Sequence, residues 1–378
     1  MKYDFTSILD RRGKDAVAVD AVGAPGSSYP APREGFDVIP MWVADMNFPV
    51  VPTVQQAMIA RAEHPAFGYF DPPAEYYDSI IRWQEGHNGV TGLKPEHIGY
   101  ENGVLGGVIS AVNVLCSKGD NVLLHSPTYI GFSHCLTDNG YHIVHSPLTK
   151  DEQGVWRMDF ADMEKKIVEN HIHAAIFCSP HNPCGRVWER REVEQAMALY
   201  KKYDVMVVSD EIWSDILLTG YRHTPTQSVS EDAKMRTVAL YAPSKTFNLA
   251  GLVGSYHIIY NSWLRDRCSK EAHQFAKGND SLRHKLQVSR YDQVIPGSQC
   301  HAADVGIIGD DRSHSGPVRA HRSNAAYQAS PRYNIHIVSQ SVIGSLINNK
   351  GRIPVAGISA DDPGSDLIII SVFLIQLQ

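Results

Sequence analysis

The sequence of 378 residues lacks a Cys-x-x-Cys pair, a membrane-length apolar run and a dense cluster of basic residues. Its six scattered cysteines argue against a disulfide framework and a zinc site, so we expect no metal centre. The longest apolar stretch, residues 367–377, is shorter than the roughly 18 to 20 residues that span a bilayer. Lysine and arginine total 35 against 41 acidic residues, so a basic surface for nucleic acid is missing. We expect neither nucleic-acid nor membrane partners.

The rest of the composition is typical of a folded globular protein. Hydrophobic residues make up 43% and charged residues 20%, with a mean hydropathy of −0.23. The length is more than twice the ~150 residues of one average domain, which indicates a large domain and a second, smaller one. The first residues contain no apolar segment of the signal-peptide kind. We therefore expect a cytoplasmic protein that binds a small molecule.

Short apolar runs alternate with amphipathic stretches between about residues 50 and 262. This alternation predicts an α/β domain with a mostly parallel sheet. A helix is predicted over residues 189–203. The predicted strands cover residues 121–125, 174–178, 205–209, 238–241 and 255–260.

The composition changes near residue 272. All 15 Glu, 9 Met, 11 Thr and 6 Trp residues lie at or before Glu271. The loss of Glu and Met removes two good helix formers from the remaining 107 residues. Two interpretations are open: a loop-rich domain, or a segment that does not match the first 271 residues, as a reading-frame change would produce.

A lysine follows one predicted strand in the segment Ser244-Lys245-Thr246-Phe247-Asn248. A half-buried lysine can lose its proton and bond covalently to an aldehyde, and a neighbouring serine hydroxyl can bind phosphate. The alternative is a solvated surface lysine.

Two more polar residues follow buried strands. Asp210 directly follows the predicted strand 205–209, where it could keep a pyridine nitrogen protonated; the alternative is an N-cap for a helix. Asn182 lies in the turn Asn182-Pro183-Cys184-Gly185, where its amide could donate to a phenolate oxygen; the alternative is an ordinary turn.

A ligand that combines an aldehyde, a phosphate and a pyridine ring would also suit two segments earlier in the chain. Gly103 opens a predicted helix whose backbone N–H groups could bind phosphate, and Tyr129 could stack on a flat ring. Alone, each has an ordinary structural explanation, a glycine-rich helix start and a core tyrosine. The combined order of phosphate turn, aromatic ring, Asn, Asp and Ser-Lys predicts a cofactor site.

This order of motifs resembles the class I/II aminotransferase family of pyridoxal-phosphate enzymes, fold type I. Four segments resemble the MalY/PatB branch of cystathionine β-lyases, also called C-S lyases: Tyr3-Asp4-Phe5, Asp10-Arg11-Arg12-Gly13, 40–46 and Phe67-Gly68-Tyr69. The resemblance extends from residue 1 to about residue 271. It implies an α/β large domain with a mostly parallel sheet flanked by helices, together with a small α+β domain that is incomplete if the C-terminal part is altered.

The resemblance also implies roles for individual residues. Lys245, Asp210 and Tyr129 are the expected catalytic residues. The expected ligands of pyridoxal 5′-phosphate are Gly103, Val104, Leu105 and Ser244 at the phosphate, Tyr129 and Trp213 at the ring, Asn182 at the ring oxygen, Asp210 at the ring nitrogen, Lys245 as the covalent partner, and Tyr69 from a neighbouring subunit. The expected substrate contacts are Ala44, Asn182 and Arg322.

The implied activity is carbon–sulfur β-lysis of cystathionine-like thioethers, within methionine biosynthesis, by a homodimer with shared active sites. The implied domains are an N-terminal segment, residues 1–49, that contributes to the small domain, a large cofactor-binding domain, residues 50–271, and an atypical small-domain region, residues 272–378. An aminotransferase, or an impaired protein that binds the cofactor without turnover, remains an alternative.

Overall fold

The computed structural model describes residues 3–276, except residues 15, 41 and 68–70, and describes side chains up to residue 272. Across these residues, none of the helices has the length and apolar character needed to cross a membrane. The α-helices are α1 Val17–Asp20, α2 Pro52–Glu63, α3 Ala74–Trp83, α4 Gly103–Leu115, α5 Ile130–Asp138, α6 Phe160–Glu169, α7 Arg190–Lys202, α8 Glu231–Arg236, α9 Pro243–Thr246 and α10 Ser262–Ala276. The strands are β1 Ile98–Asn102, β2 Asn121–Ser126, β3 His142–Pro147, β4 Thr149–Lys150, β5 Trp156–Arg157, β6 Ala174–Cys178, β7 Met206–Asp210, β8 Thr237–Tyr241 and β9 Gly254–Ile258.

Seven of these strands form one sheet in the order β1-β9-β8-β7-β6-β2-β3. The five strands from β8 to β3 run parallel, and β9 runs antiparallel to both of its neighbours. The predicted α/β class with a mostly parallel sheet is therefore confirmed. Each segment predicted as a strand is a strand, with its ends moved by at most two residues.

Both faces of the sheet are covered by helices, which explains the uninterrupted apolar runs of the strands. On one face, Leu123 and Phe177 pack with α6 and α7. On the other face, Leu124 and Ile176 pack with α4 and α5. Successive side chains of a strand point to opposite faces of the sheet. In β2 and β6, the side chains on both faces are therefore buried.

The strand order changes direction between β2 and β6. After β2, the chain adds β3 on one side of β2 and then places β6 on the other side. Tyr129 follows β2, and Asn182 follows β6. In open α/β sheets, ligands bind at the carboxyl ends of the strands near such a reversal, so this edge is the candidate site.

Candidate active site

Three neighbouring parallel strands carry Asn182, Asp210 and Lys245 to the same edge of the sheet. In the strand register, Cys178 at the end of β6 pairs with Asp210 at the end of β7, and Asp210 pairs with Leu240 of β8. Asn182 follows β6 by four residues, and Lys245 lies on α9, four residues beyond β8. Parallel pairing thus brings together residues that are up to 63 positions apart in sequence.

A cavity of about 230 Å³ opens beside this edge. It combines a segment of the N-terminal region with the start of α9 and with the turn that follows β7. Four of the predicted site residues line it, namely Ala44, Trp213, Ser244 and Lys245. The other lining residues are Val43, Asp45, Met46 and Asn248.

Lys245 is the cationic group of this cavity. Its Nζ donates a hydrogen bond of 3.1 Å to the carbonyl oxygen of Ala44 and lies 5.6 Å from the ring centre of Trp213. Burial lowers the pKa of Lys245, while the negative charges of Asp45 and Asp210 act in the opposite direction. The lowered pKa increases the fraction of unprotonated amine, which is the form that reacts with a carbonyl group.

Asp210 is a buried carboxyl group at the end of β7. Its Oδ1 accepts a 3.0 Å hydrogen bond from the Ile212 backbone N–H, within a turn rather than at the start of a helix, so the N-cap alternative is wrong. Burial raises the pKa of Asp210 to about 7, and the charge of Glu211 contributes to the same rise. A cationic ligand beside this carboxyl group would favour its ionised form.

Glu211, which the sequence interpretation did not assign a role, is fully buried. Its carboxylate accepts hydrogen bonds from four groups, which form the Glu211 cluster: Ser209 Oγ at 2.9 Å, Thr226 N at 3.0 Å, His223 Nε2 at 2.6 Å and Tyr241 Oη at 2.5 Å. Burial acts to raise the pKa of Glu211, but the charge and hydrogen bond of His223, with the hydrogen bonds from Tyr241 and Thr226, lower it below its ordinary value. The cluster joins the end of β7 to the end of β8. Asp210 is the last residue of β7, and Lys245 follows β8, so the cluster connects the two strands that position these site residues.

The Tyr129 ring lies over Gly131 at the start of α5. A Cβ atom at Gly131 would come within 2.4 Å of the ring and within 3.0 Å of the Leu105 side chain. The ring meets Phe132 edge-on, with 5.4 Å between centroids, and 38% of Tyr129 is exposed. Burial and then the charge of Asp210 raise the pKa of Tyr129. The tyrosine is thus partly exposed and within electrostatic reach of Asp210.

The predicted phosphate residues Gly103, Val104 and Leu105 form the first turn of α4. Gly103 has a φ of +76°, a left-handed conformation that favours glycine. A Cβ atom there would lie 3.5 Å from Cγ1 of Val253. Val253 itself has a φ of +55°, which is strained for a β-branched residue. Backbone N–H groups at the start of a 13-residue helix can bind an anion.

Two predicted site residues, Tyr69 and Arg322, lie outside the described residues. Asn182 is half-buried, and its backbone N–H donates to Sγ of Cys178 at 3.4 Å. Tyr129, Asn182 and Asp210 are at the same sheet edge but do not line the cavity within the described part of the chain.

Sequence interpretation also missed Arg11, Asp45 and Asn248. Arg11 Nη2 and Asp45 Oδ2 form an ion pair of 2.6 Å, and Asp45 lines the cavity. Asn248 contacts the segment that contains Ala44 across about 200 positions of sequence. The only available signals were their positions inside the quoted motifs, because long-range contacts have no local pattern.

Comparisons with known proteins identify the family. The family described as Aminotransferase class I and II matches residues 37–277. Cystathionine beta-lyase PatB from Bacillus subtilis (strain 168) is 40% identical over 223 residues, which cover 59% of this chain and 57% of PatB. Protein MalY from Escherichia coli (strain K12) is 29% identical over 266 residues, which cover 70% of this chain and 65% of MalY.

The chain therefore spans less than two thirds of the length of these two relatives. Among solved structures, the PLP-bound C-S lyase from Staphylococcus hominis superposes with a TM-score of 0.65 at 32% identity, covering 76% of this chain and 70% of that one. The fold type I architecture and the family match agree with the parallel sheet described above. The chain belongs to the aminotransferase class I and II family.

Proposed function

We propose that this protein is a pyridoxal 5′-phosphate-dependent carbon–sulfur β-lyase. It would convert L-cystathionine or a similar cysteine thioether, with water, to a thiol, pyruvate and ammonia. The observation that carries the proposal is the half-buried Lys245, whose pKa is lowered, in a cavity at one edge of the sheet. The buried Asp210 lies at the same edge. The similarity to PatB and to the Staphylococcus hominis C-S lyase supports this reaction over transamination.

The residues of the site fit the cofactor. Burial of the Asp210 carboxyl group raises its pKa to about 7, and a protonated pyridine nitrogen is a cation that would stabilise the ionised form. Lys245 would bind the aldehyde carbon, and Asn182 the ring oxygen. The ring would contact Tyr129 and Trp213. The phosphate would be bound by Gly103, Val104, Leu105, Ser244 and the partner subunit's Tyr69.

When bound, pyridoxal 5′-phosphate supplies an electron-withdrawing ring that stabilises negative charge at the substrate α-carbon. Lys245 Nζ, once the substrate amine has replaced it at the aldehyde carbon, would take the α-proton and return a proton to the departing thiolate sulfur. Asp210 keeps a proton on the ring nitrogen. Ala44, Asn182 and Arg322 orient the substrate carboxylate.

The whole-protein arrangement is part of the proposal. Residues 1–49 and 272–378 would form the small domain, and residues 50–271 the large, cofactor-binding domain. Two copies would form a homodimer with shared active sites, in which Tyr69 of one copy would contact the phosphate bound by the other. We propose that this dimer works in the cytoplasm. The reaction would serve methionine biosynthesis, because homocysteine is the thiol product from cystathionine.

The test compares the full chain with Lys245→Ala, and uses Lys165→Ala, an exposed lysine on α6, as the control. We expect wild type and Lys165→Ala to gain a visible absorption band with the cofactor, to yield a borohydride-reduced pyridoxyl adduct at residue 245, and to release pyruvate from L-cystathionine without a keto acid. We expect Lys245→Ala to lose the adduct and nearly all turnover. Turnover that strictly requires a keto acid would instead identify an aminotransferase, and a missing adduct would overturn the cofactor assignment.

A further inference from the structure

Residues 43–48 form a segment of irregular backbone, here called the 43–48 loop, that supplies part of the cavity wall. Ala44 of this loop accepts the hydrogen bond of Lys245. Backbone without helix or sheet hydrogen bonds depends on other groups to satisfy and orient it. The position of the Lys245 acceptor therefore depends on the groups that bind this loop, which are the Leu9 backbone N–H, a donor to the Asn47 carbonyl at 2.7 Å, and the side chains described next.

Asn248 makes three hydrogen bonds to the 43–48 loop. Its Oδ1 accepts from the Met46 backbone N–H at 3.1 Å. Its Nδ2 donates to the carbonyl oxygens of Met46 at 3.2 Å and Phe48 at 3.3 Å. Asn248 lies three residues after Lys245, so the reactive lysine and the side chain that holds its acceptor belong to the same short segment.

Arg11 binds the loop as well. Its guanidinium donates to the Met46 carbonyl at 3.2 Å and to Asn47 Oδ1 at 3.4 Å, and it pairs with Asp45. Arg11 contacts carbonyl and side-chain oxygens, whereas the Met46 backbone N–H is bonded by Asn248. In the described part of the chain, Asn248 thus adds three hydrogen bonds between the lysine segment and this loop to the one that Lys245 itself makes with Ala44.

We propose that Asn248 is a positioning residue for Lys245, which keeps the 43–48 loop in place so that Ala44 remains the acceptor for Nζ and the cavity keeps its wall. The effect on substrate binding rests on the proposed lyase function. The effects on the loop and on the lysine do not, because both are properties of the cofactor-free chain.

A simpler role for Asn248 makes a different prediction. Its φ is +58°, a left-handed conformation that asparagine and glycine adopt more readily than other residues. If backbone conformation were its only role, Asn248→Gly would leave the loop and the lysine unchanged. If the amide positions the loop, Asn248→Gly keeps the conformation and still loses all three hydrogen bonds.

The experiment compares wild type with Asn248→Gly, Asn248→Asp and Asn170→Ala in the full chain. Asn248→Asp keeps the acceptor for the Met46 amide and removes both donors. Asn170→Ala is the matched control, because it removes an asparagine-to-carbonyl bond of 3.0 Å at the end of α6. Two readouts need no cofactor: hydrogen exchange of the peptide that contains Met46, and acetylation of Lys245 relative to Lys165 at about pH 11, where lysines are mainly unprotonated. A third readout separates KM from kcat for the thioether.

We expect Asn248→Gly to accelerate exchange of the Met46 amide about tenfold or more and to accelerate acetylation of Lys245, with Asn248→Asp intermediate. KM should rise about tenfold because Ala44 would orient the substrate carboxylate, and kcat should also fall because Lys245 would transfer the proton. Exchange and acetylation equal to wild type and Asn170→Ala would overturn the proposal. If Asn248→Gly does not fold, Asn248→Asp decides by the same two readouts. If the wild type itself has no lyase activity, only the proposed function is overturned.

Discussion

At the scale of single residues, burial acts on the two main ionisable groups of the site in opposite directions. It lowers the pKa of Lys245 and raises the pKa of Asp210 to about 7, because a low dielectric disfavours the charged form of either group. A larger fraction of the lysine is thereby unprotonated, which is the form that acts as nucleophile and base. The carboxyl group becomes a site that gains from a neighbouring cation.

The first prediction concerns Asp210→Asn and the pH dependence of stability without cofactor. The raised pKa means that between about pH 4 and 7 the folded chain retains a proton that the unfolded chain loses. The contribution of Asp210 to the free energy of unfolding is therefore present below about pH 4 and lost as the pH rises through about 7. Each pKa unit corresponds to about 1.4 kcal/mol, so the loss is about 4 kcal/mol at most.

Chemical denaturation at several pH values measures this difference. Asn cannot ionise, so the stability of Asp210→Asn relative to wild type should increase from about pH 4 to pH 7 and then remain constant. Parallel curves for the two proteins over this interval would show that Asp210 titrates at its ordinary value.

At the scale of secondary-structure elements, the Glu211 cluster connects the ends of β7 and β8. Glu211 Oε2 accepts from both His223 and Tyr241, and the Glu211 backbone N–H donates to the Leu240 carbonyl at 2.9 Å. Because Tyr241 ends β8 four residues before Lys245, this one carboxylate influences the spacing between the two strands of the site.

We predict that Glu211→Gln destabilises the protein by about 3 kcal/mol, because a buried carboxylate is replaced by an amide that cannot accept all four hydrogen bonds. Glu194→Gln is the control, since among the described residues Glu194 forms only an exposed i,i+4 pair with Arg190, and its loss should cost less than about 0.5 kcal/mol. Denaturant midpoints provide the measurement. Equal midpoints for the two variants would mean that the Glu211 cluster does not stabilise the fold.

At the scale of the whole molecule, the proposed homodimer shares each site between two copies. Lys245→Ala and Tyr69→Ala would then remove residues that act in the same site from different subunits. Neither variant alone should be active, but in a dimer of one copy of each, one site contains both wild-type residues.

We predict that unfolding and refolding an equal mixture of the two variants restores about a quarter of wild-type activity, because about half of the dimers are mixed and one of their two sites is intact. Pyruvate release measures the recovery, and each variant refolded alone is the control. No recovery in a mixture that forms mixed dimers would contradict a site shared between subunits.

Much of the architecture follows from sequence, because strand and helix periodicity and turn residues act over short stretches of chain. Apolar runs and amphipathic stretches predicted five of the seven strands of the sheet to within two residues, and did not predict β1 and β3. Strand ends placed Asn182, Asp210 and Lys245 at a common edge, since parallel strands finish on the same side. The motif order also indicated the family, which the match over residues 37–277 confirmed.

Tertiary structure alone decided the contacts between distant segments. The reversal of β9, the burial of Glu211 and the bonding of the 43–48 loop by Asn248 leave no periodic pattern in the sequence. Lys245 and its acceptor Ala44 are separated by 201 positions, and they meet only because packing of the sheet and its helices brings both segments to one cavity. Local preferences determine which elements form, whereas the free energy of packing and long-range hydrogen bonds determines which side chains meet.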